Sequence, residues 1–265
     1  MKSLRKKLKI WLGNIRPGRA GAFRYFGTQV YFPKNSLIFK RACEEGVYEH
    51  ENLKIMLKLA RPDSTVLDVG ANIGLIAIPI LRSIPRCTVV SFEPSPNSAP
   101  YLARTAAGSG FGERWLIVQR AAGCDVVPRP FYVAAPRDGA YDGLGDTGRA
   151  AGMRQIEVEG TTIDQEWQRQ GGPRVSLIKI DTEGSELEVL RGAAACILRE
   201  RPHLFVEWNA ENLRPAGCPP ERLVAWAEEF GYRLYSVPHL APVTDREALA
   251  FYMTLTENFL LVPLP

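Results

Sequence analysis

Four short apolar runs, each with an acidic residue at or next to its end, constrain this chain more than any other feature. Val66-Leu67-Asp68-Val69 runs into Gly70-Ala71-Asn72-Ile73-Gly74. Thr88–Phe92 ends in Glu93, Val175–Ile180 ends at Asp181, and Leu204-Phe205-Val206 ends at Glu207. Runs this short, apolar at consecutive positions, read as strands covered on both faces. Helical spacing separates them. Leu53, Met56, Leu57 and Ala60 share one face of a helix over 49–60, and another helix is expected over 96–107. Further strands are expected at 115–119, 232–237 and 258–262. This alternation predicts an α/β fold built on a doubly wound, mostly parallel sheet. Ligands of such sheets bind beyond the carboxyl ends of the strands, so Asp68, Glu93, Asp181 and Glu207 are expected around one cleft.

The turn after the first of these strands narrows the ligand. A dinucleotide-binding GxGxxG frame needs glycines at 70, 72 and 75, and Asn72 and Leu75 stand there instead. What the chain carries is Asp-x-Gly-x-Asn-x-Gly, with Asp68 two residues before Gly70. An acid at that place disfavours a pyrophosphate and favours a cationic group. Glu93, nineteen residues after Gly74, is placed to accept hydrogen bonds from ribose hydroxyls. A nucleoside with a cationic tail and no phosphates describes S-adenosyl-L-methionine. Two competing readings are a turn that only packs a helix, and an NAD-type dehydrogenase on a similar sheet.

Val66–Gly74, Phe92-Glu93-Pro94 and the run Leu177-Ile178-Lys179-Ile180-Asp181-Thr182-Glu183-Gly184-Ser185-Glu186-Leu187-Glu188 through Gly192 together resemble the FkbM family of methyltransferases. Gly46-Val47-Tyr48-Glu49 and Arg201-Pro202 through Glu207 are similar too, so the resemblance covers roughly 45–210. It implies a class I (Rossmann-like) methyltransferase fold, with a seven-stranded sheet whose last strand is antiparallel. It also implies O-methylation of a hydroxyl, on a sugar or small natural product. By that resemblance Asp68, Gly70, Asn72, Gly74 and Glu93 line the cofactor site. Thr105 replaces an asparagine common in the family, and Asp142–Asp146 matches the family's loop only loosely, which leaves the acceptor open.

An alcohol acceptor must lose a proton as its oxygen is methylated, so a carboxylate beside it is expected. Asp181 and Glu183 are the candidates for that role, Asp181 first. With Glu207 they form an all-oxygen set of the kind that suits Mg²⁺, but no histidine joins them, and no metal ligands are assigned. Ser185-x-x-Glu188 reads as a capping box, and Glu186 as a first-turn acid of the same helix. Lys179 either pairs with a strand-end acid or reaches to solvent. His50 and His239 are candidates for the rim, His203 lies at the far end of its strand, and Trp208 is a candidate pocket floor.

Charge separates the amino terminus from the rest. Of a net +4, residues 1–19 carry seven basic side chains and no acid, which leaves 26 basic against 29 acidic over the other 246 residues. A nucleic-acid surface is not expected on such a body. Leu4, Leu8, Trp11 and Ile15 recur at helical spacing opposite the lysines, as in a helix that lies on an anionic membrane or docks on its own domain. The expected organisation is a basic helix and a hairpin or lid (Thr28–Ile38) within 1–44, then the methyltransferase domain over 45–265, with 125–170 as a substrate-side insertion. Five dispersed cysteines with no CxxC pair predict free thiols. A cytoplasmic protein, peripheral to a membrane at most, is expected to act on a small-molecule acceptor. A non-catalytic binding protein on the same fold is the remaining alternative.

Overall fold

The structure, a computed structural model, describes residues 21–265. The basic helix and membrane contact expected of residues 1–19 lie outside the described residues. The described chain opens with strands β1 (Gly21–Tyr25) and β2 (Thr28–Phe32), followed by helices α1 (Leu37–Glu45) and α2 (His50–Leu59). Then come β3 (Thr65–Val69), α3 (Ala77–Ser83), β4 (Thr88–Phe92), α4 (Ala99–Ala107), β5 (Trp115–Val118) and β6 (Ala121–Ala122). The middle of the chain forms β7 (Arg129–Val133), β8 (Arg154–Val158), β9 (Gly160–Thr161), α5 (Ile163–Arg169) and β10 (Val175–Ile180). It continues through α6 (Glu186–Arg191), α7 (Ala194–Glu200), β11 (His203–Glu207), α8 (Ala210–Leu213) and α9 (Arg222–Glu229). The last elements are β12 (Tyr232–Ser236), β13 (Pro242–Val243), α10 (Arg246–Tyr252) and β14 (Asn258–Pro263).

The central sheet has the order β13-β12-β14-β11-β10-β3-β4-β5. The neighbours β11, β10, β3, β4 and β5 run parallel, and β14 is antiparallel to both β11 and β12. This is the expected class I arrangement with its last strand reversed. It holds eight strands where seven are expected, because the two-residue β13 adds an antiparallel edge to β12. So short a strand leaves no alternation in the sequence, and Pro242 is tolerated there because an edge strand needs fewer backbone donors.

All five residues of β3 and all six of β10 are buried, since helices cover both faces of the sheet. Successive strand residues therefore feed two apolar clusters. Leu67, Val90, Ile178 and Leu204 meet α6, α7 and α9 on one face. Val66, Val89, Leu177 and Phe205 meet α2, α3 and α4 on the other.

The amino-terminal hairpin packs into that second cluster through Phe23, Tyr25, Val30 and Phe32. It turns at Phe26-Gly27, not within Thr28–Ile38 as expected. Pro33-Lys34-Asn35 instead leads into α1, whose first turn is closed by Ser36 Oγ accepting from the Phe39 N–H at 3.2 Å. Thr105 ties the hairpin to α4, because its hydroxyl accepts from the Tyr31 N–H at 3.0 Å. The segment expected as a substrate-side insertion over 125–170 divides. The β7–β8 ribbon and the 3₁₀ turn Pro136–Tyr141 lie over the sheet's carboxyl edge, while α5 buries Ile163 and Trp167 in the core. Among the described residues, no helix is long and apolar enough to cross a membrane.

Candidate active site

Beyond the carboxyl ends of β3, β4, β10 and β11 opens a cleft of about 1060 Å³, its mouth included. Its base is the turn after β3. Gly70 adopts φ +79°, and a Cβ there would lie 1.7 Å from the Asp181 carbonyl oxygen. Gly74 adopts φ +88°, and a Cβ there would lie 2.7 Å from the Trp115 ring. Both glycines are thus required by close packing, of the turn on β10 and of the helix start on β5. The helix-packing reading of this turn is correct for the glycines themselves. What the turn leaves for a ligand is the cleft above it.

Glu93, at the end of β4, is 6% exposed. One carboxylate oxygen accepts from the Asn72 N–H and the other from the Ser95 N–H, each at 2.8 Å. Among the described residues no cation hydrogen-bonds it, and burial pushes its pKa up to about 7 against the opposing pull of those two amides and of Lys179. Each oxygen keeps a lone pair for a further donor. Asp142, from the segment after the 3₁₀ turn, closes over this end. It accepts from the Ala134 N–H at 2.7 Å, from Asn97 Nδ2 at 2.9 Å and from Ser95 Oγ.

The β10 end of the cleft is organised by charge. Lys179 is buried, and its Nζ donates to Asp181 Oδ2 at 2.9 Å and to the Gly70 carbonyl at 3.2 Å. It also faces Asp68 Oδ1 at 3.9 Å. Burial works against the Lys179 ammonium, but Asp181, Asp68 and Glu49 outweigh it and hold its pKa above the ordinary lysine value. Asp68 is fully buried, neither of its oxygens has a hydrogen-bond partner among the described residues, and burial raises its pKa to about 6. Of the alternatives read from sequence for Lys179, the ion pair with a strand-end acid is the one formed.

Glu183 sits two residues past Asp181 in a left-handed conformation, φ 56°. Its carboxylate accepts from Arg149 Nη1 at 2.8 Å, and Arg149 stacks over Tyr141 at 4.5 Å. Burial, with Asp181 close by, raises the pKa of Glu183 above the carboxylate range, and burial does the same for Glu207. Asp181, Glu183 and Glu207 bring one oxygen each within 4.8 Å of the others. Lys179, Arg149 and the Asn212 amide already hold those three carboxylates, respectively. A divalent ion would compete with two resident cations, so this set fits a metal poorly.

Several sequence expectations change here. The capping box does not form: Ser185 Oγ donates to the Thr182 carbonyl at 3.2 Å instead. Glu186 does the work at that helix start, one of its oxygens accepting from the Thr182 and Gly184 N–H groups at 3.0 and 3.1 Å. His50 and His239 are exposed and stand outside the cleft. Trp208 is not a pocket floor. It is fully buried in the core, and its Nε1 donates to the Pro220 carbonyl at 2.9 Å.

Of the expected residues, the cleft lining brings together Gly70, Asn72, Glu93, Asp181 and Glu183, with Asp68 beneath them and Gly74 behind. It also gathers Tyr48, Glu49, Asp142, Arg149 and Lys179, which carried no cleft assignment in the sequence. Gly46-Val47-Tyr48-Glu49 and Lys179 offered a signal as parts of the resemblance, and Asp142 lies in the loop that matches the family loosely. Arg149 and Asp142 sit in irregular backbone, where no periodicity marks a side chain's direction.

Comparison with known proteins follows the same lines. Methyltransferase sdnD of Sordaria araneosa is 25% identical over 221 residues, covering 74% of this chain and 81% of that protein. Hexuronic acid methyltransferase AglP of Haloferax volcanii is 27% identical over 153 residues, 54% of this chain and 56% of AglP. The 2-O-methyltransferase NoeI of Sinorhizobium fredii is 24% identical over 190 residues, 63% of this chain and 72% of NoeI. Among solved structures, methyltransferase FkbM from Methylobacillus flagellatus aligns with 84% of this chain and 52% of its own, at 16% identity and a TM-score of 0.46. The sequence model of the methyltransferase FkbM domain matches residues 68–234, from the acid below the Gly70 turn to strand β12, and the chain belongs to the FkbM methyltransferase family.

Proposed function

We propose that this methyltransferase takes its methyl group from S-adenosyl-L-methionine and places it on a hydroxyl of a sugar or small natural product. The observation that carries the reading is Glu93. It is a buried carboxylate, hydrogen-bonded to no cation among the described residues, anchored by two backbone amides and open to the cleft. A pair of ribose hydroxyls is the donor set such a group accepts. The turn supports the same ligand class. Its Asn72 amide is already given to Glu93 and is not free for a pyrophosphate, which disfavours the NAD reading.

Bound S-adenosyl-L-methionine supplies an electrophilic methyl group on sulfur. The protein's part is to align the acceptor with it and to take one proton. We assign the proton to the Asp181 carboxylate, which lines the cleft and is held in place by Lys179. Glu183, fixed by Arg149, orients the acceptor from the other side. The overall change balances: the S–CH₃ bond breaks, an O–CH₃ bond forms, and the hydroxyl proton passes to Asp181. The names of AglP and NoeI, a hexuronic acid methyltransferase and a 2-O-methyltransferase, support a sugar-like acceptor. Five free thiols support a reducing, cytoplasmic setting.

Calorimetric titration with S-adenosylhomocysteine, with NAD as control, tests the cofactor. Micromolar binding of the first and none of the second is expected. Binding of NAD, or of neither, overturns the reading.

A further inference from the structure

Glu49 lies outside the matched domain, 19 residues before its first position, yet it lines the cleft. It occupies the N-cap of α2 with φ 46° and ψ 48°, a left-handed conformation that is costly for a residue with a side chain. It makes no cap there: its carboxylate accepts no hydrogen bond from the first turn's backbone. The side chain is held instead by Asn52 Nδ2 at 3.2 Å and by the Tyr48 hydroxyl. Tyr48 is fixed in turn, because its N–H donates to Tyr25 Oη of the hairpin at 3.2 Å. The fold thus spends a strained residue and the amino-terminal hairpin to turn one carboxylate into the cleft.

The charge it meets there is uneven. Glu49 lines the cleft together with Lys179 and Asp181. Burial raises the Glu49 pKa, and the Lys179 ammonium works against that rise. Among the described residues Asp181, Asp68 and Glu49 share the Lys179 ammonium, and neither oxygen of Asp68 has a hydrogen bond. Such a cluster is short of positive charge. S-Adenosyl-L-methionine carries a net +1 from its sulfonium, ammonium and carboxylate, whereas the spent thioether is neutral overall. Glu49 and Asp181 line the same cleft, the one in which the proposed transfer takes place.

We propose that Glu49 makes the cleft read the charge of the donor, so that it binds the sulfonium form and releases the neutral thioether. Glu49 is a specificity-determining residue for the reaction proposed above, and the inference rests on that reading. Once the methyl has moved, the proton taken by Asp181 stands in for the lost sulfonium charge, and when that proton passes to solvent the cluster returns to its excess of negative charge. This favours exchange of spent cofactor for fresh.

Calorimetry of the full chain with three ligands tests this: S-adenosyl-L-methionine, its analogue with a protonated amine in place of the sulfonium, and S-adenosylhomocysteine. The wild type is expected to prefer both cationic ligands. Glu49→Gln is expected to weaken both by ~10-fold while leaving the thioether within ~2-fold, and Glu49→Asp to keep most of the preference. A preference unchanged in Glu49→Gln overturns the proposal. So does an equal loss for all three ligands, which would place Glu49 on their shared ammonium or in the fold alone. Wild-type protein that binds none of the three overturns the cofactor reading first, and this inference with it.

Discussion

The two ends of the cleft hold their acids by different means. At the β4 end, Glu93 is fixed by the amides of Asn72 and Ser95 and, among the described residues, hydrogen-bonds no cation. At the β10 end, Asp181 rests on Lys179 and Glu183 on Arg149. Amide donors occupy one lone pair on each oxygen, so Glu93 retains lone pairs for neutral hydroxyls, while burial, not the amides, raises its pKa. Ion pairs fix a carboxylate's position within the cleft, which is what a group that takes a proton from a bound acceptor needs. The same residue type thus serves binding at one end and chemistry at the other.

The most disruptive way to break this comparison is to remove the element that joins the two ends. Gly70→Ala would put a methyl carbon 1.7 Å from the Asp181 carbonyl, at φ +79°. A loss of about 3 kcal/mol or more in chemical denaturation is expected, with both ends of the cleft affected together. A stability within error of wild type would show that the turn is not the joint described here.

Next in size is Asp181→Asn, which changes the β10 end alone. Turnover is expected to fall by ~10²–10⁴-fold while S-adenosylhomocysteine affinity changes little. Equal losses in both would move Asp181 from proton transfer to cofactor binding, and full turnover would remove it from the mechanism.

The smallest effect, and the sharpest on the β4 end, comes from Glu93→Gln. Gln presents an NH₂ where one backbone N–H needs an acceptor, so cofactor affinity is expected to fall ~10–100-fold. The same residue sets a pH dependence. Its folded pKa of about 7 stands above the ordinary 4.5, so the folded state favours the protonated form. That stability is full below pH 4.5 and is lost as the pH rises through 7. Asp68, raised from 3.8 to about 6, acts with the same sign, as do Glu183 and Glu207. Thermal unfolding of the unliganded protein between pH 5 and 8 is therefore expected to show falling stability, with a shallower slope in Glu93→Gln. A flat or rising wild-type curve contradicts the buried state of Glu93.

Much of this architecture was legible in the residues. The order of strands and helices, and the placing of Asp68, Glu93, Asp181 and Glu207 at strand ends, follow from periodicity and turn chemistry over five to ten residues. The same local reasoning failed where two local solutions compete. Pro33-Lys34-Asn35 reads equally as a hairpin turn or a helix approach, and burial of Phe23 and Val30 against α3 and α4 settled which strands pair. Ser185 and Glu188 have the spacing of a capping box, yet Glu186 takes the amides because its carboxylate is buried against that turn. The chain itself determined the sheet, its carboxyl-edge cleft and the acids that rim it. Only the tertiary structure decided that Lys179 holds Asp181, that Arg149 holds Glu183, and that Glu49 faces both. Lys179 and Asp181 are two residues apart, but burial and the Gly70 carbonyl aim the ammonium at that acid, while Arg149 lies 34 residues from Glu183, and no sequence period encodes a contact made only in the folded cleft.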